Sequence, residues 1–217
     1  RTTSEDLVWE ATVHALDDEA SQRFTLFGES ERAREGWRLY PATLATRLAS
    51  DAPELRWGVE CAVASSLPRD AGLSSSSALL TALFQAVAAA NERFEGRPLG
   101  AVTASPEQQA AYLSCVEAGR PFEGLGEATE GVGTRGGSED HVAILCSQPG
   151  CLGLYRYRPI ERLDSLVLPD KWTFAIGGSG IAAHKAGAAK EAYNRAADLM
   201  AAWDAGDRSE AAQRRRA

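Results

Sequence analysis

Nothing in this chain of 217 residues approaches the roughly 18 consecutive apolar residues of a membrane span. Its start, Arg1-Thr2-Thr3-Ser4-Glu5-Asp6, carries no signal-peptide core. A cytoplasmic location is therefore the expectation, with no membrane partner. Positive charge is also scarce. The formal net charge is -7, and the clear basic cluster, Arg214-Arg215-Arg216, reads as a solvated helix terminus. A nucleic-acid surface needs a basic face, so that class of partner is excluded. The four cysteines, Cys61, Cys115, Cys146 and Cys151, lack paired metal-ligand spacing. Cys146 and Cys151 are able to face each other across a hairpin at Ser147-Gln148-Pro149-Gly150, although reduced core cysteines fit the expected compartment better. No Gly-Lys-Ser/Thr of a P-loop follows the glycine-serine stretch described below, and no Gly-x-Ser-x-Gly elbow supports a serine hydrolase using Ser75 or Ser76.

What is present is enough for a folded domain. With 44% hydrophobic and 24% charged residues, the composition is that of a soluble globular chain able to bury a sizeable core. Alternating apolar residues predict a strand over 7–16, paired through the acidic Asp17-Asp18-Glu19 turn with Arg23 to Phe27. Leu39, Leu44, Ala45 and Leu48 predict a helix over 37–49, and Leu55, Trp57, Val59, Cys61 and Val63 a second strand over 55–64. A helix from Ser75 to about Asn91 is apolar nearly all round and is expected to lie between layers. Pro106 opens another helix, and the seven glycines between Gly119 and Gly137 mark a long loop of functional type. His141 to Cys146 and Cys151 to Tyr157 are expected to pair as a hairpin, with a further strand at Trp172 to Ile176. Helices over 186–203 and 209–216 complete the reading.

The order strand, tight turn, helix centres on Pro68-Arg69-Asp70-Ala71-Gly72-Leu73-Ser74-Ser75-Ser76-Ser77. The first N–H groups of such a helix have no intrahelical partner and carry the positive end of its dipole, so an anion is stabilised there, phosphate foremost. Gly72 permits a positive φ or a close backbone approach. The serines can cap the helix, and their hydroxyls suit phosphate oxygens or hydrated Mg²⁺. A serine-rich N-cap is the plain alternative, but one serine suffices for a cap and four stand here.

Further candidates follow. Asp140 stands between Gly136-Gly137-Ser138-Glu139 and an apolar run, where a carboxylate is placed either to orient or deprotonate a hydroxyl or to cap the next element. Glu117, near the end of a mostly apolar helix, is either a metal ligand or part of a solvent face. Gly177-Gly178-Ser179-Gly180, followed by His184 and Lys185, offers contacts to a sugar or phosphate, or simply a turn. Tyr193, before Asn194 and Arg195, offers a ring to a ligand or to the core.

Pro68 to Ser76 resembles the second motif of the GHMP small-molecule kinases in its galactokinase form, Pro-x-x-x-Gly-Leu-Ser-Ser-Ser. Glu117, Gly137-Ser138-Glu139-Asp140, Ser179-Gly180 with His184, and Tyr193-Asn194-Arg195 follow in galactokinase order, so the resemblance spans about residues 55 to 200. It implies an α+β fold: a GHMP kinase-like (ribosomal protein S5 domain 2-like) ATP-binding domain over 1–180, with a ferredoxin-like C-terminal domain beginning over 181–217. It implies ATP and Mg²⁺ as cofactors and a small-molecule sugar as substrate. Pro68, Gly72, Leu73, Ser74, Ser75, Ser76 and Ser77 would wrap the ATP phosphates, and Ser76, with Ser75 as its neighbouring alternative, would ligate Mg²⁺ together with Glu117. Asp140 matches the aspartate that orients or deprotonates the sugar hydroxyl; Tyr193, with Gly178, Ser179 and His184, would line the sugar.

The galactokinase motifs Gly-Arg-x-Asn-x-Ile-Gly-Glu-His at the N-terminus and the glycine-rich stretch at the C-terminus do not occur. In place of Cys-Gly-x-Met-Asp-Gln stands Gly133-Thr134-Arg135-Gly136-Gly137-Ser138-Glu139-Asp140-His141. The chain, which begins at Arg1 rather than methionine, is accordingly expected to be a fragment or trimmed form of an ATP-dependent sugar kinase. The alternative is a non-catalytic sugar- or nucleotide-binding relative of the GHMP kinases.

Overall fold

The computed structural model describes residues 10–15, 18–25, 36–52, 55, 59–67, 72–95, 104–125, 129–179 and 188–204. Strand β1 (Glu10–Ala15) pairs antiparallel with β2 (Asp18–Thr25), from Glu10 opposite Thr25 to Ala15 opposite Asp18. The partner strand thus begins earlier than the expected Arg23, and Asp18 and Glu19 belong to it rather than to the turn. A 3₁₀ turn (Gly36–Arg38) leads into helix α1 (Leu39–Asp51), and the chain returns as β3 (Glu60–Ser65), parallel to β1 on its other side. The sheet order is β2-β1-β3.

Helix α2 (Ser75–Glu95) and helix α3 (Pro106–Ala118) pack with α1 into the main core. Leu44, Ala45 and Leu48 of α1 meet Leu80, Leu83, Phe84 and Val87 of α2 and Tyr112, Leu113 and Val116 of α3, while Cys61 and Val63 of β3 lie against this cluster. Each fully buried large side chain among them contributes about 1.5–3 kcal/mol. Helix α2 is not enclosed all round: Ala82, Gln85, Ala89 and Glu92 form an exposed stripe at helical spacing. Alanine carries little apolar area, so an Ala-rich run looks buried in sequence yet tolerates solvent. No helix among the described residues is long and apolar enough to cross a membrane.

Helix α3 starts and stops where its residues dictate. The Ser105 side chain accepts from the Gln108 N–H at 3.2 Å, Pro106 occupies the first turn, and Gly119 ends the helix at φ 70°. Beyond it the described residues up to Gly137 form no regular element, apart from a bridge between Phe122 and Leu125. This stretch is closed at its neck. A side chain on Gly131 would collide with the Gly119 backbone, and a Cβ on Gly119 would stand 3.0 Å from the Thr129 carbonyl oxygen. From α1, the buried Arg47 reaches the same neck, donating from Nη1 to the carbonyls of Arg120 (2.9 Å) and Glu130 (3.3 Å) and from Nε to Asp51 (2.9 Å). The Tyr112 hydroxyl donates to the same Asp51 oxygen at 3.1 Å.

The expected strand at His141–Cys146 is instead helix α4 (Glu139–Cys146). Its inward residues are His141, Val142, Leu145 and Cys146, a spacing that matches a helix face and not a pleat, and Glu139 and Asp140 favour the positive end of its dipole. Strand β4 (Cys151–Tyr157) therefore pairs with β5 (Ile160–Val167), so the hairpin turns at Arg158-Pro159 and not at Gln148-Pro149-Gly150. Cys146 and Cys151 do not face each other across a strand pair, and all four cysteines are free thiols. Trp172–Ile176 has no strand partner among the described residues, and Trp172, Phe174 and Ile176 are exposed. Helix α5 (Ala188–Asp204) closes the described chain. The short helix expected over 209–216 lies outside the described residues. The whole is α+β, as the resemblance implies.

Candidate functional site

Among the described residues of the turn that delivers α2, two are in the left-handed region: Gly72 at φ 70° and Ser74 at φ 53°. Glycine adopts this conformation freely, whereas serine there is strained by about 1 kcal/mol, and such strain clusters where backbone is shaped for a ligand. The Ser74 carbonyl accepts the first helical bond, from the Ala78 N–H at 3.0 Å. The amides at the start of α2 consequently point back toward the turn. Pro68 lies outside the described residues.

The serine hydroxyls that follow diverge. Ser76 hydrogen-bonds the Tyr40 phenol of α1, whose pKa is raised by burial first, lowered by that bond and raised again by the nearby Glu117 charge. Ser77, 1% exposed, donates to Glu117 Oε2 at 3.1 Å. The serine in contact with Glu117 is thus Ser77, one position beyond the Ser76 singled out by the motif, while Ser76 looks toward Tyr40.

Glu117 is held by a second partner. His141 Nε2 lies 3.0 Å from the same Oε2, and His141 Nδ1 lies 3.4 Å from Thr81 Oγ1. Glu117 is therefore not on an open solvent face: its side chain is 12% exposed and that of His141 1%. Its position on α3 is tied to the glycine-rich stretch by the Gly133 N–H, which donates to the Glu117 carbonyl at 3.1 Å.

Asp140 occupies the first turn of α4, half-buried, and is a helical residue rather than the cap; Ser138 stands at the cap position. Tyr193 of α5 comes to meet it. The Tyr193 hydroxyl lies against Gly136, where a Cβ would stand 3.1 Å from its oxygen. Its pKa is raised by desolvation and further by the charges of Glu139, Asp140 and Glu117, so one phenol senses all three carboxylates. Helix α5 is docked there by a series at four-residue spacing. Lys190 donates to the Val132 carbonyl (2.9 Å), Asn194 donates to the Gly133 carbonyl (2.9 Å) and accepts from the Arg135 N–H (2.8 Å), and Asp198 pairs with the Arg135 guanidinium.

The fold thus brings together the α2 turn, Glu117, Asp140 and Tyr193, which span more than a hundred positions of chain. Gly178 is exposed, with nothing packed where its Cβ would be, and Ser179 is exposed beside it. His184 lies outside the described residues. Tyr40, Thr81 and His141 escaped the sequence reading. For Tyr40 the available signal was its place four residues before Leu44 on the inward face of α1; for His141 it was adjacency to Asp140.

Residues 40–119 match the family model described as GHMP kinases N terminal domain, a stretch that includes Tyr40, the serines and Glu117. The match spans well under half of the chain, and over those residues the chain is similar to the GHMP kinases. The search of curated proteins gives no match, and neither does the search of solved structures.

Proposed function

We propose that this chain is the nucleotide-holding part of an ATP-dependent kinase that moves the γ-phosphate onto a monosaccharide hydroxyl, in the manner of galactokinases. The observation that supports this most is the junction of the Gly72–Ser74 turn with Glu117, through the 3.1 Å contact from Ser77. It sets an anion-attracting helix start beside a carboxylate, the combination a metal-bound triphosphate requires.

On this reading Pro68 and Gly72 to Ser77 hold the phosphates. Glu117, Glu139 and Asp140 make the surroundings acidic, and a triphosphate beside them needs a cation between. The available donors are carboxylate and hydroxyl oxygens, which suit Mg²⁺, and Glu117 with Ser76 would hold it. When bound, the ion supplies neutralisation of the charge that spreads over the transferred phosphoryl group. Asp140 accepts the proton of the attacking sugar hydroxyl as its oxygen bonds to the γ-phosphorus; the bond to the β-phosphate oxygen breaks and ADP leaves. Tyr193, with Gly178, Ser179 and His184, lines the sugar. The residues over 181–217 would begin a second domain.

A panel of monosaccharides incubated with Mg-ATP and the longest available reading frame tests this; phosphate transfer to one or more of them is expected. A second reading, a non-catalytic sugar- or nucleotide-binding relative, is favoured by one fact: the family match ends at residue 119, short of Asp140. Binding of Mg-ADP without turnover on any sugar would select that reading.

A further inference from the structure

A buried histidine is most often just a satisfied core group, yet His141 is placed unusually for one. It is 1% exposed, and both of its ring nitrogens are engaged, by Thr81 of α2 and by Glu117 of α3. Ser77, also from α2, donates to the same Glu117 oxygen that His141 contacts. Oε2 therefore carries two bonds, and among the described residues Oε1 carries none. A carboxylate pinned by one oxygen keeps the other at a fixed direction. The chain Thr81–His141–Glu117–Ser77 links α2, α4 and α3 and passes through His141, the residue next to Asp140, so the histidine also ties the Glu117 carboxylate to the helix that carries the proposed base.

We propose that His141 is a positioning residue: its Nε2–H donates to Glu117 Oε2 and thereby aims Oε1 at the divalent cation of the bound nucleotide. The proposal rests on the kinase reading above. Groups that hold a metal ligand from behind typically account for 10–100-fold in metal affinity. His141 does so without touching nucleotide or sugar. A glutamine side chain also donates from its Nε2, so on this proposal the donor rather than the imidazole is what the position requires.

The test measures Mn²⁺ binding in the presence of ADP by electron paramagnetic resonance, on the wild type and on H141Q, H141N and H141L. Glutamine places an N–H donor near the imidazole Nε2 position, whereas asparagine places it near Nδ1. The expected result is about tenfold weaker Mn²⁺ binding for H141L and H141N, with H141Q close to wild type. Equal binding by H141Q and H141N overturns the proposal, and this comparison of two polar variants of similar size survives even where H141L fails to fold. Nitrogen-15 NMR of the wild-type imidazole gives a second readout, expected to show a protonated Nε2; a bare Nε2 overturns the proposal. Failure of the wild type itself to bind Mn²⁺ with ADP overturns the kinase reading and this inference with it, whereas wild-type binding unaffected in H141L overturns this inference alone.

Discussion

Ser77 and Glu117 meet at 3.1 Å, the hydroxyl of one helix start donating to the carboxylate near the end of another. That bond is the physical link between the phosphate-type turn and the metal-type ligand. Replacing Ser77 with Ala leaves Glu117 with His141 but removes a charge-assisted bond from a buried place, at a cost of about 1.5–3 kcal/mol. Urea unfolding of Ser77→Ala measures the loss. Its nucleotide affinity should fall as well, because the carboxylate then swings on one tether.

Asp140→Asn should leave the fold intact, since asparagine is nearly isosteric and the site is only half-buried. It removes the base that accepts the sugar proton, so turnover should drop by roughly 10²–10⁴-fold with only a modest change in ATP affinity. Steady-state kinetics beside a nucleotide titration separate the two quantities. Unchanged turnover would remove Asp140 from the mechanism.

Arg47 and Asp51 form a buried ion pair with two atoms, Arg47 Nη2 and Asp51 Oδ1, that lack hydrogen-bond partners among the described residues. Arg47→Met strands a buried carboxylate and releases the Arg120 and Glu130 carbonyls, costing about 3–5 kcal/mol. The double variant Arg47→Met with Asp51→Leu should recover much of that loss, because it strands no charge. Denaturant midpoints of the three proteins decide the matter; a double variant no more stable than the single one refutes it.

Burial pushes the Cys146 thiol up from 9.0 to about 11, with the Glu107 charge adding to the shift. A folded-state pKa above the unfolded value means the contribution to stability is complete below about 9 and disappears as pH climbs toward about 11. Burial shifts Tyr40, Cys61, Cys115 and Tyr193 in the same sense. Unfolding free energy measured across that alkaline window should decline. Thiol alkylation followed by mass spectrometry should label Cys146 slowly near neutral pH and faster as pH climbs toward about 11, since only the thiolate reacts.

Where local chemistry determines local structure, the sequence sufficed. Pro106 and Gly119 mark the ends of α3 unaided, and Gly72 with the serines marks the start of α2, whereas the Ser105 cap came only with the structure. It misled at His141–Cys146, because six apolar-rich residues fit a buried strand as well as a buried helix. What decides is the pair Glu139 and Asp140 upstream and the faces offered by Ala110 of α3 and Tyr155 of β4. Trp172, Phe174 and Ile176 alternate as a strand does, yet alternation states only a preference for a sheet, and no described strand accepts them. Within the site, Glu117 and Asp140 were legible as residue types. Their coupling through His141 was not, since contacts between positions 24 and 60 apart leave no local pattern.

The crossing of Gly131 over Gly119 separates what hangs beyond it from what lies behind it. Phe122 and Leu125, beyond the crossing, rest on the main core, Phe122 edge-on to the Tyr112 ring, while the spacing of the two acidic groups on either side is set by backbone touching backbone. A side chain added at the crossing would act as a wedge, prising apart two parts of the site that it never touches.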